Sequence, residues 1–481
     1  MTRAIAAGAA LGLLVLAGCG GSAGGDERVI VSAVAPAPPG PGILRVDRTA
    51  GSDTLSRAQV AAGEGVFRSL QRALDVAVPG DTIRVHGGVE YYRESRPATG
   101  RDPAGIVVTT GGLPGQPLVI EGVEGAGGEL PVIDQGRDAS LPGPGVAGLV
   151  LACVSHVVVR DIIIRNVNEA GVTTSVNGCH HEDIIVTGNA ITNVSGSGLV
   201  AGVRLARTRG AQVTGNVIRH VRRSGEPGAG LVAAPSGRSV DNVVAHNLIE
   251  RVPVGVHVHS AGTQGVAGQQ IVANIVRDAA GGVLLTAAPL AGPVSDSDIA
   301  GNFLHRLQDT DASVVGIDAR LGAGAGPSPG LRIRANTLVD VDQPIRGAGV
   351  TGLEVVDNVF AGQRREVLVL LDGVGGGWPT SLARADFNAY RSGDLLAWVV
   401  GRGGDRELPF TEWDAWRKAW SRFAAPGLAE DPDGQSIITS ALFTDPLGGD
   451  YRLLPGSPAG TGGTMGAGAG AFAIATQMPG P

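Results

Sequence analysis

The sequence predicts an all-β solenoid, a parallel β-helix in which each repeat forms one coil. Three observations carry this. Between Val157 and Gly362 one motif recurs, built of an apolar residue, two mixed residues, an Asn and a second apolar run. It reads VVVRDIIIRNV, VTGNAITNV, VTGNVIRHV, VAHNLIERV, VANIVRDA, IAGNFLHRL, IRANTLVDV and VVDNVFAG. Its anchors are Asp161, Asn189, Asn216, Asn247, Asn274, Asn302, Asn336 and Asn358, separated by 28, 27, 31, 27, 28, 34 and 22 residues. A glycine step into a β-branched run follows most anchors, as in AGVTTS, AGVRLA, AGLVAA, VGVHVH, GGVLLT and VGIDAR. No helix-length apolar pattern interrupts the series. Short strands repeating with a period in the twenties mean stacked coils.

Each coil pairs its strands with the coils above and below, about 4.8 Å away. A single coil cannot bury its own inner face, so the core exists only through stacking. An Asn at one fixed place per coil has two structural uses. Its amide hydrogen-bonds along the stack, and it tolerates the left-handed backbone of a tight turn. The ladder is read as architecture, not as a site.

At 481 residues a chain would ordinarily divide into several domains, but a solenoid grows in one dimension as a single unit. Gly at 77 positions and aromatics at 4% suit thin aliphatic coils with many turns. Net charge is −7 and Lys418 is the only lysine. No basic stripe with interleaved aromatics appears, which argues against nucleic acid as a partner.

Residues 1–19, MTRAIAAGAALGLLVLAGC, have a basic start and an apolar run from Ala4 to Ala17 too short to span a bilayer. Leu16-Ala17-Gly18-Cys19 resembles the bacterial lipobox, which implies cleavage before Cys19 and lipidation of that residue. The expected location is the bacterial cell envelope, with a membrane partner through the lipid. Gly20 after the Cys implies the outer membrane if the cell has one. Residues 20–43 hold GGSAGG and VAPAPPGPG and read as a flexible tether. Residues 44–475 are expected to form one β-helix domain. Its N-terminal cap spans 44–80, its coils 81–395, and a C-terminal helix and closing segment 396–475. In the cap, Phe67, Leu70, Ala73, Leu74 and Ala77 have helical spacing, Pro79-Gly80 ends the helix, and Thr82 to Val85 is expected to be the first strand. A helix across an open solenoid end covers unpaired strand edges.

A helix running into PGDTIRV, then Tyr92-Arg93-Glu94, resembles the opening of bacterial right-handed parallel β-helix proteins of the pectate-lyase-like superfold. GLPGQPLVIEGV and PVIDQG (residues 112–136) resemble that family's first coils. ARADFNAYRSGD (383–394) and SIITSALFTDPLGGDYRLLPGSPAGTGG (436–463) resemble its later coil and closing segment. The resemblance implies the handedness and the capped ends. It does not choose a function, since the superfold hosts lyases, hydrolases, epimerases and noncatalytic adhesins. TEWDAWRKAW (411–420) places Trp413, Trp416 and Trp420 at helical spacing, which suits either a packing stripe or a sugar-stacking platform. Cys153 and Cys179 are 26 residues apart, close to one coil. They either pair or stay separate thiols. Their offsets to the next anchor, 8 and 10, favour separate thiols.

Alternate strand residues face outward. With Gly-Val opening each strand of one sheet, the first outward position in successive coils reads Thr173, Arg204, Val232, His257, Leu284, Asp318 and Arg346. The second reads Ser175, Ala206, Ala234, His259, Thr286, Arg320 and Ala348. The resulting stripe has His257, Asp318 and Arg204 as candidate catalytic residues and His259 and Arg320 as candidate substrate ligands. The segments 190–201, 217–229 and 303–315 are expected to be long loops walling a cleft, bringing in Glu226, Asp309 and Asp311 as further ligands. Arg suits a carboxylate or sulfate, and His suits proton transfer near neutral pH. A lyase needs a base and a cation beside a uronate carboxylate. A hydrolase needs two carboxylates about 5–9 Å apart. A charged outer face is also what solvent exposure alone produces.

No metal or cofactor is expected. Cys179–His181 is too sparse for zinc, and Asp431 and Asp433 are too few for a calcium loop. The resemblance brings no enzyme signature with it. The lysine that alginate lyases and chondroitinases use as base has no counterpart, Asn177-Gly178 with Glu182 matches their NG-x-E string poorly, and the polygalacturonase strings are absent. Two readings therefore stand. One is a monomeric surface lipoprotein that binds a polysaccharide along this stripe, with cleavage, lyase- or glycosidase-like, left open by the sequence. The other is a noncatalytic adhesin or envelope scaffold.

Overall fold

In the computed structural model the described residues are 40–97, 104–136, 145–174, 178–196, 200–223, 229–233, 239–308, 314–321, 326–365, 367–371, 382–391, 398–402, 406–410, 436–439, 443–445 and 450–453. They form a right-handed parallel β-helix. Three long sheets of 12, 11 and 13 strands run its length among the described residues, with a smaller five-stranded sheet at one corner. One coil shows the order. Ile184–Thr187 lies in the first sheet, Ala190–Gly196 in the second, Ala201–Leu205 in the third and Thr208–Arg209 in the small sheet. Pairing between coils is parallel, as in Ile191 with Ile218 and Val203 with Leu231. Inward positions stack into one continuous aliphatic core that includes Val186, Ile191, Val203, Val213, Ile218, Val256 and Ile317, all fully buried. Burying each such side chain stabilises by about 1.5–3 kcal/mol.

The Asn ladder runs from Asn189 to Asn388. Each side-chain Nδ2 donates to Oδ1 of the next, for example Asn274 to Asn302 at 3.0 Å and Asn302 to Asn336 at 2.9 Å. The same Oδ1 also accepts the backbone N–H of the preceding rung, 3.0 Å from Asn274 N to Asn302 Oδ1. Two details differ from the sequence reading. The left-handed residue is not the Asn but the one before it. Asp161, Gly188, Gly215, His246, Ala273, Gly301, Ala335, Asp357 and Phe387 have φ of 52–67°. Asp161 therefore aligns with Gly188, not with Asn189. The rung position of its coil is Ile162, a core residue whose N–H donates to Asn189 Oδ1 at 3.1 Å. The ladder's reason is thus hydrogen bonding of a buried turn, and the torsional strain falls on its neighbour.

The glycine step also has a steric cause. A Cβ on Gly171 would lie 2.6 Å from Gly202 O and 2.6 Å from Ile191 Cγ2, so the second and third sheets meet too closely there for a side chain.

At the N-terminal end, Ile43–Val46 pairs with Thr82–His86, so the first strand precedes the expected one. The capping helix is Leu70–Val76 with Ser69 as N-cap. Phe67 lies before it and bridges Val46. Gln71 closes the edge of the third sheet. Its Nε2 donates to Val107 O at 2.9 Å and its Oε1 accepts Val107 N at 2.8 Å, standing in for a missing strand. A second helix, Arg57–Ala61, carries a Ser56–Gln59 capping box. At the other end Ile437–Thr439 pairs with Ala389–Arg391. Phe443 and Leu453 pack on the outer face of the second sheet beside Phe303, Val359 and Ala389.

Cys153 and Cys179 form a disulfide, with Cα atoms 5.0 Å apart, which corrects the expectation of separate thiols. The unequal offsets are absorbed where the chain leaves the third sheet, outside the strands whose register they were counted against. Cys19, the Trp413–Trp420 segment, and the side chains of Glu226, Asp309 and Asp311 lie outside the described residues.

Candidate active site

The third sheet places the sequence-predicted stripe in one register. Thr173 pairs with Arg204, Arg204 with Val232, Val232 with His257, His257 with Leu284, Leu284 with Asp318, and Asp318 with Arg346. The second row pairs His259 with Thr286 and Thr286 with Arg320. These positions alternate with core residues Val256, Val258, Val283, Leu285, Ile317 and Ala319, so they face away from the core.

Facing outward is not the same as being solvated. Thr173 is fully buried, Arg204 is 6% exposed and Asp318 is 4% exposed, against the reading of an open charged face. Each charge among them is partnered. Arg204 pairs with Glu169 and its Nε donates to Thr173 Oγ1 at 3.3 Å. Asp318 accepts from Arg320 Nε at 2.7 Å and from Arg346 Nε at 2.8 Å, with Arg346 Nη2 on its second oxygen as well. Its carboxylate is thus clamped between two guanidiniums, and only Arg320 of the three is largely exposed, at 60% of its side chain. The expected loop walls also begin as strands of the second sheet, Ala190–Gly196, Val217–Arg223 and Phe303–Leu307.

Two rungs from Asp318, about 10 Å away, are the histidines. The Thr286 hydroxyl is 2.8 Å from His257 Nε2 and 2.7 Å from His259 Nδ1. The ring centroids are 5.6 Å apart. One hydroxyl has one proton, so it donates to one ring and accepts from the other. His257 Nδ1 is buried with no hydrogen-bond partner. A bare acceptor there costs less than an orphaned N–H, so the favoured arrangement has His257 Nε2–H donating to Thr286 and Thr286 donating to His259 Nδ1. Burial, the neighbouring His259 and the Arg320 charge push the His257 imidazole down to about 4. Burial also lowers His259. Both rings are therefore neutral at neutral pH.

Sequence reasoning found both histidines but not Thr286 as their link. The signal was present, since Thr286 occupies the rung between His259 and Arg320. Among the described residues no group of three His, Cys, Asp or Glu side chains converges to hold a metal ion.

No protein-family model matches the sequence, and no curated protein does. Solved structures of similar shape include a GH136 lacto-N-biosidase from Eubacterium ramulus, at 13% identity, covering 83% of this chain and 68% of that one with a TM-score of 0.47. A pectate lyase aligns at 11% identity over 90% of this chain and 97% of its own, with a TM-score of 0.45. A rhamnogalacturonan lyase aligns at 12% identity over 71% and 87%, with a TM-score of 0.44.

Proposed function

We propose that this is an exported, lipid-anchored envelope protein that holds a polysaccharide along the outer face of its third sheet and cleaves it by β-elimination. The anchor rests on Leu16-Ala17-Gly18-Cys19. The glycan reading rests on one observation, the Thr286 hydroxyl held between two neutral imidazoles with the exposed Arg320 guanidinium on the next rung.

Elimination from a uronate needs a cation at the carboxylate and a base at the adjacent C–H. Arg320 supplies the cation, its Nε fixed by Asp318 and its other nitrogens free to face a ligand. His259, the less buried imidazole, is the proton carrier. The working tautomer is the minor one of the pair: His259 Nδ1–H donates to Thr286 and Thr286 donates to His257 Nε2, which leaves His259 Nε2 with a lone pair at the cost of an unpartnered, buried Nδ1–H on His257. The C5–H electrons form the C4=C5 double bond, the C4–O bond breaks, and the proton on Nε2 passes to the leaving oxygen. Asp318 and Arg346 are positioning residues in this scheme, and Arg204, buried against Glu169, is too enclosed to meet a polymer. Hydrolysis has less support because both described carboxylates of the face, Asp318 and Glu169, are already paired to arginines.

The test is a panel of uronate-containing and neutral polysaccharides offered to the soluble chain starting after Cys19. Ultraviolet absorbance of the unsaturated product and reducing ends are followed together. The expected result is both signals on a uronate polymer, with His259→Ala lowering the rate about 10²–10⁴-fold. Reducing ends without absorbance would replace elimination by hydrolysis. Neither signal, and no retention on any immobilised glycan, would leave the scaffold reading in its place.

A further inference from the structure

A second cluster lies at the corner where the chain passes from the second sheet to the third, in three successive coils of which the last holds Leu284. Arg219, Glu250 and Arg277 occupy one row in successive rungs. Arg219 Nε lies 2.6 Å from Glu250 Oε1 and Arg277 Nε lies 2.7 Å from Glu250 Oε2, so both oxygens of that carboxylate are taken. The neighbouring corner carboxylate, Asp278, is taken by Arg306 at 3.0 Å. Arg222 and Arg251 remain. Both are exposed, and among the described residues neither meets a carboxylate.

Arg251 instead donates through Nη1 to His220 Nε2 at 3.2 Å. A nitrogen that accepts from a guanidinium carries no proton, so the His220 ring is neutral while this bond holds, with Nδ1 3.4 Å from Thr192 Oγ1. Burial and the charges of Arg251 and Arg222 all disfavour its cation. Two guanidiniums thus take the Glu250 carboxylate while two more act on the His220 ring, on a chain whose net charge is −7. Two exposed cations gain by acquiring an oxyanion, and planar guanidiniums fit carboxylate and sulfate oxygens in pairs.

We propose that Arg222, Arg251 and the His220 ring form a binding site for carboxylate or sulfate groups of a glycan. The site lies outside the imidazole stripe and its occupancy does not depend on cleavage. Arg251 precedes His257 by six residues on the same coil, so the two positions are within about 20 Å. One extended polymer reaches both.

The experiment measures retention of the full soluble chain on immobilised polygalacturonate, dextran sulfate and neutral dextran at low salt. The two charged polymers separate a carboxylate ligand from a sulfate ligand. The expected result is retention on at least one charged polymer and none on dextran. Arg222→Gln with Arg251→Gln should weaken it roughly tenfold and flatten its salt dependence. A control pair, Arg209→Gln with Arg332→Gln, removes two exposed guanidiniums from other faces and should leave retention unchanged. Equal loss in the control pair would reduce the effect to net charge and overturn the site. So would absence of wild-type retention on both charged polymers. Retention without product formation would uphold this site while removing the elimination reading.

Discussion

His257 should make this protein lose stability on mild acidification. The ordinary imidazole value is 6.5, and in the folded chain His257 is held at about 4 by burial, by His259 and by Arg320. Between these values the unfolded chain takes up a proton that the folded chain refuses, so stability rises with pH there. The contribution is fully present above 6.5 and is lost as pH falls to about 4. A gap of this size corresponds to about 3 kcal/mol. His181, His220 and His259 are also lowered, chiefly by burial, and add to the same slope. Asp340, held below its usual range by His305, loses its own contribution only at lower pH. The comparison that isolates His257 is therefore a difference of differences. Urea midpoints of the wild type and of His257→Leu would be measured at pH 7 and pH 4.5. A leucine is tolerated beside Leu284 on the next rung, so the variant keeps the face packed. The variant should lose about 2–3 kcal/mol less than the wild type over that interval. An equal loss in both proteins would refute the argument, because it would mean that His257 protonates as easily when folded as when unfolded.

Two further outcomes follow from the core and the staple. Asn302→Ala removes an amide that accepts from Asn274 at 3.0 Å and donates to Ile271 O at 2.8 Å and Asn336 at 2.9 Å, and should cost about 4 kcal/mol by urea unfolding, since several buried groups lose partners at once; a cost below 1 kcal/mol would make the ladder ornamental. Replacing Cys153 and Cys179 by Ser opens a link across 26 residues and should cost about 3 kcal/mol, read as a fall in midpoint matched by adding reductant to the wild type.

The register of the third sheet was legible because strand alternation and coil period are both carried by residue types. Gly255, Val256 and Val258 mark the inside, and His257 and His259 then have no choice but to face out. Phase within a turn was less legible. The αL residue and the ladder Asn are adjacent, both favour small polar residues, and Asp161 satisfies the pattern of either. The strand Ile43–Val46 was missed because no helix and Pro-Gly stop precede it, as they do Thr82–Val85, and no Asn turn follows it. Burial of Arg204 and Asp318 could not be read either. Strand alternation tells which side of a sheet a residue takes, while the partners that enclose it, Glu169 and Arg346, come from other positions on the chain. The disulfide was misjudged for a related reason, since counting to an anchor assumes connections of equal length.

The unequal repeat has a consequence for how such a chain changes over generations. In the longest interval, from Asn302 to Asn336, the additional residues fall between Phe303–Leu307 and Val315–Arg320 and between Val315–Arg320 and Ser328–Pro329. In the shortest, from Asn336 to Asn358, those same connections shrink to one residue each, Asp342 and Gly349. Length varies on both flanks of the third sheet while the Asn column keeps step. Insertions and deletions can therefore remodel the borders of the imidazole face without moving a single core residue. The chain separates the part that must stay constant to remain folded from the part that is free to explore new ligands.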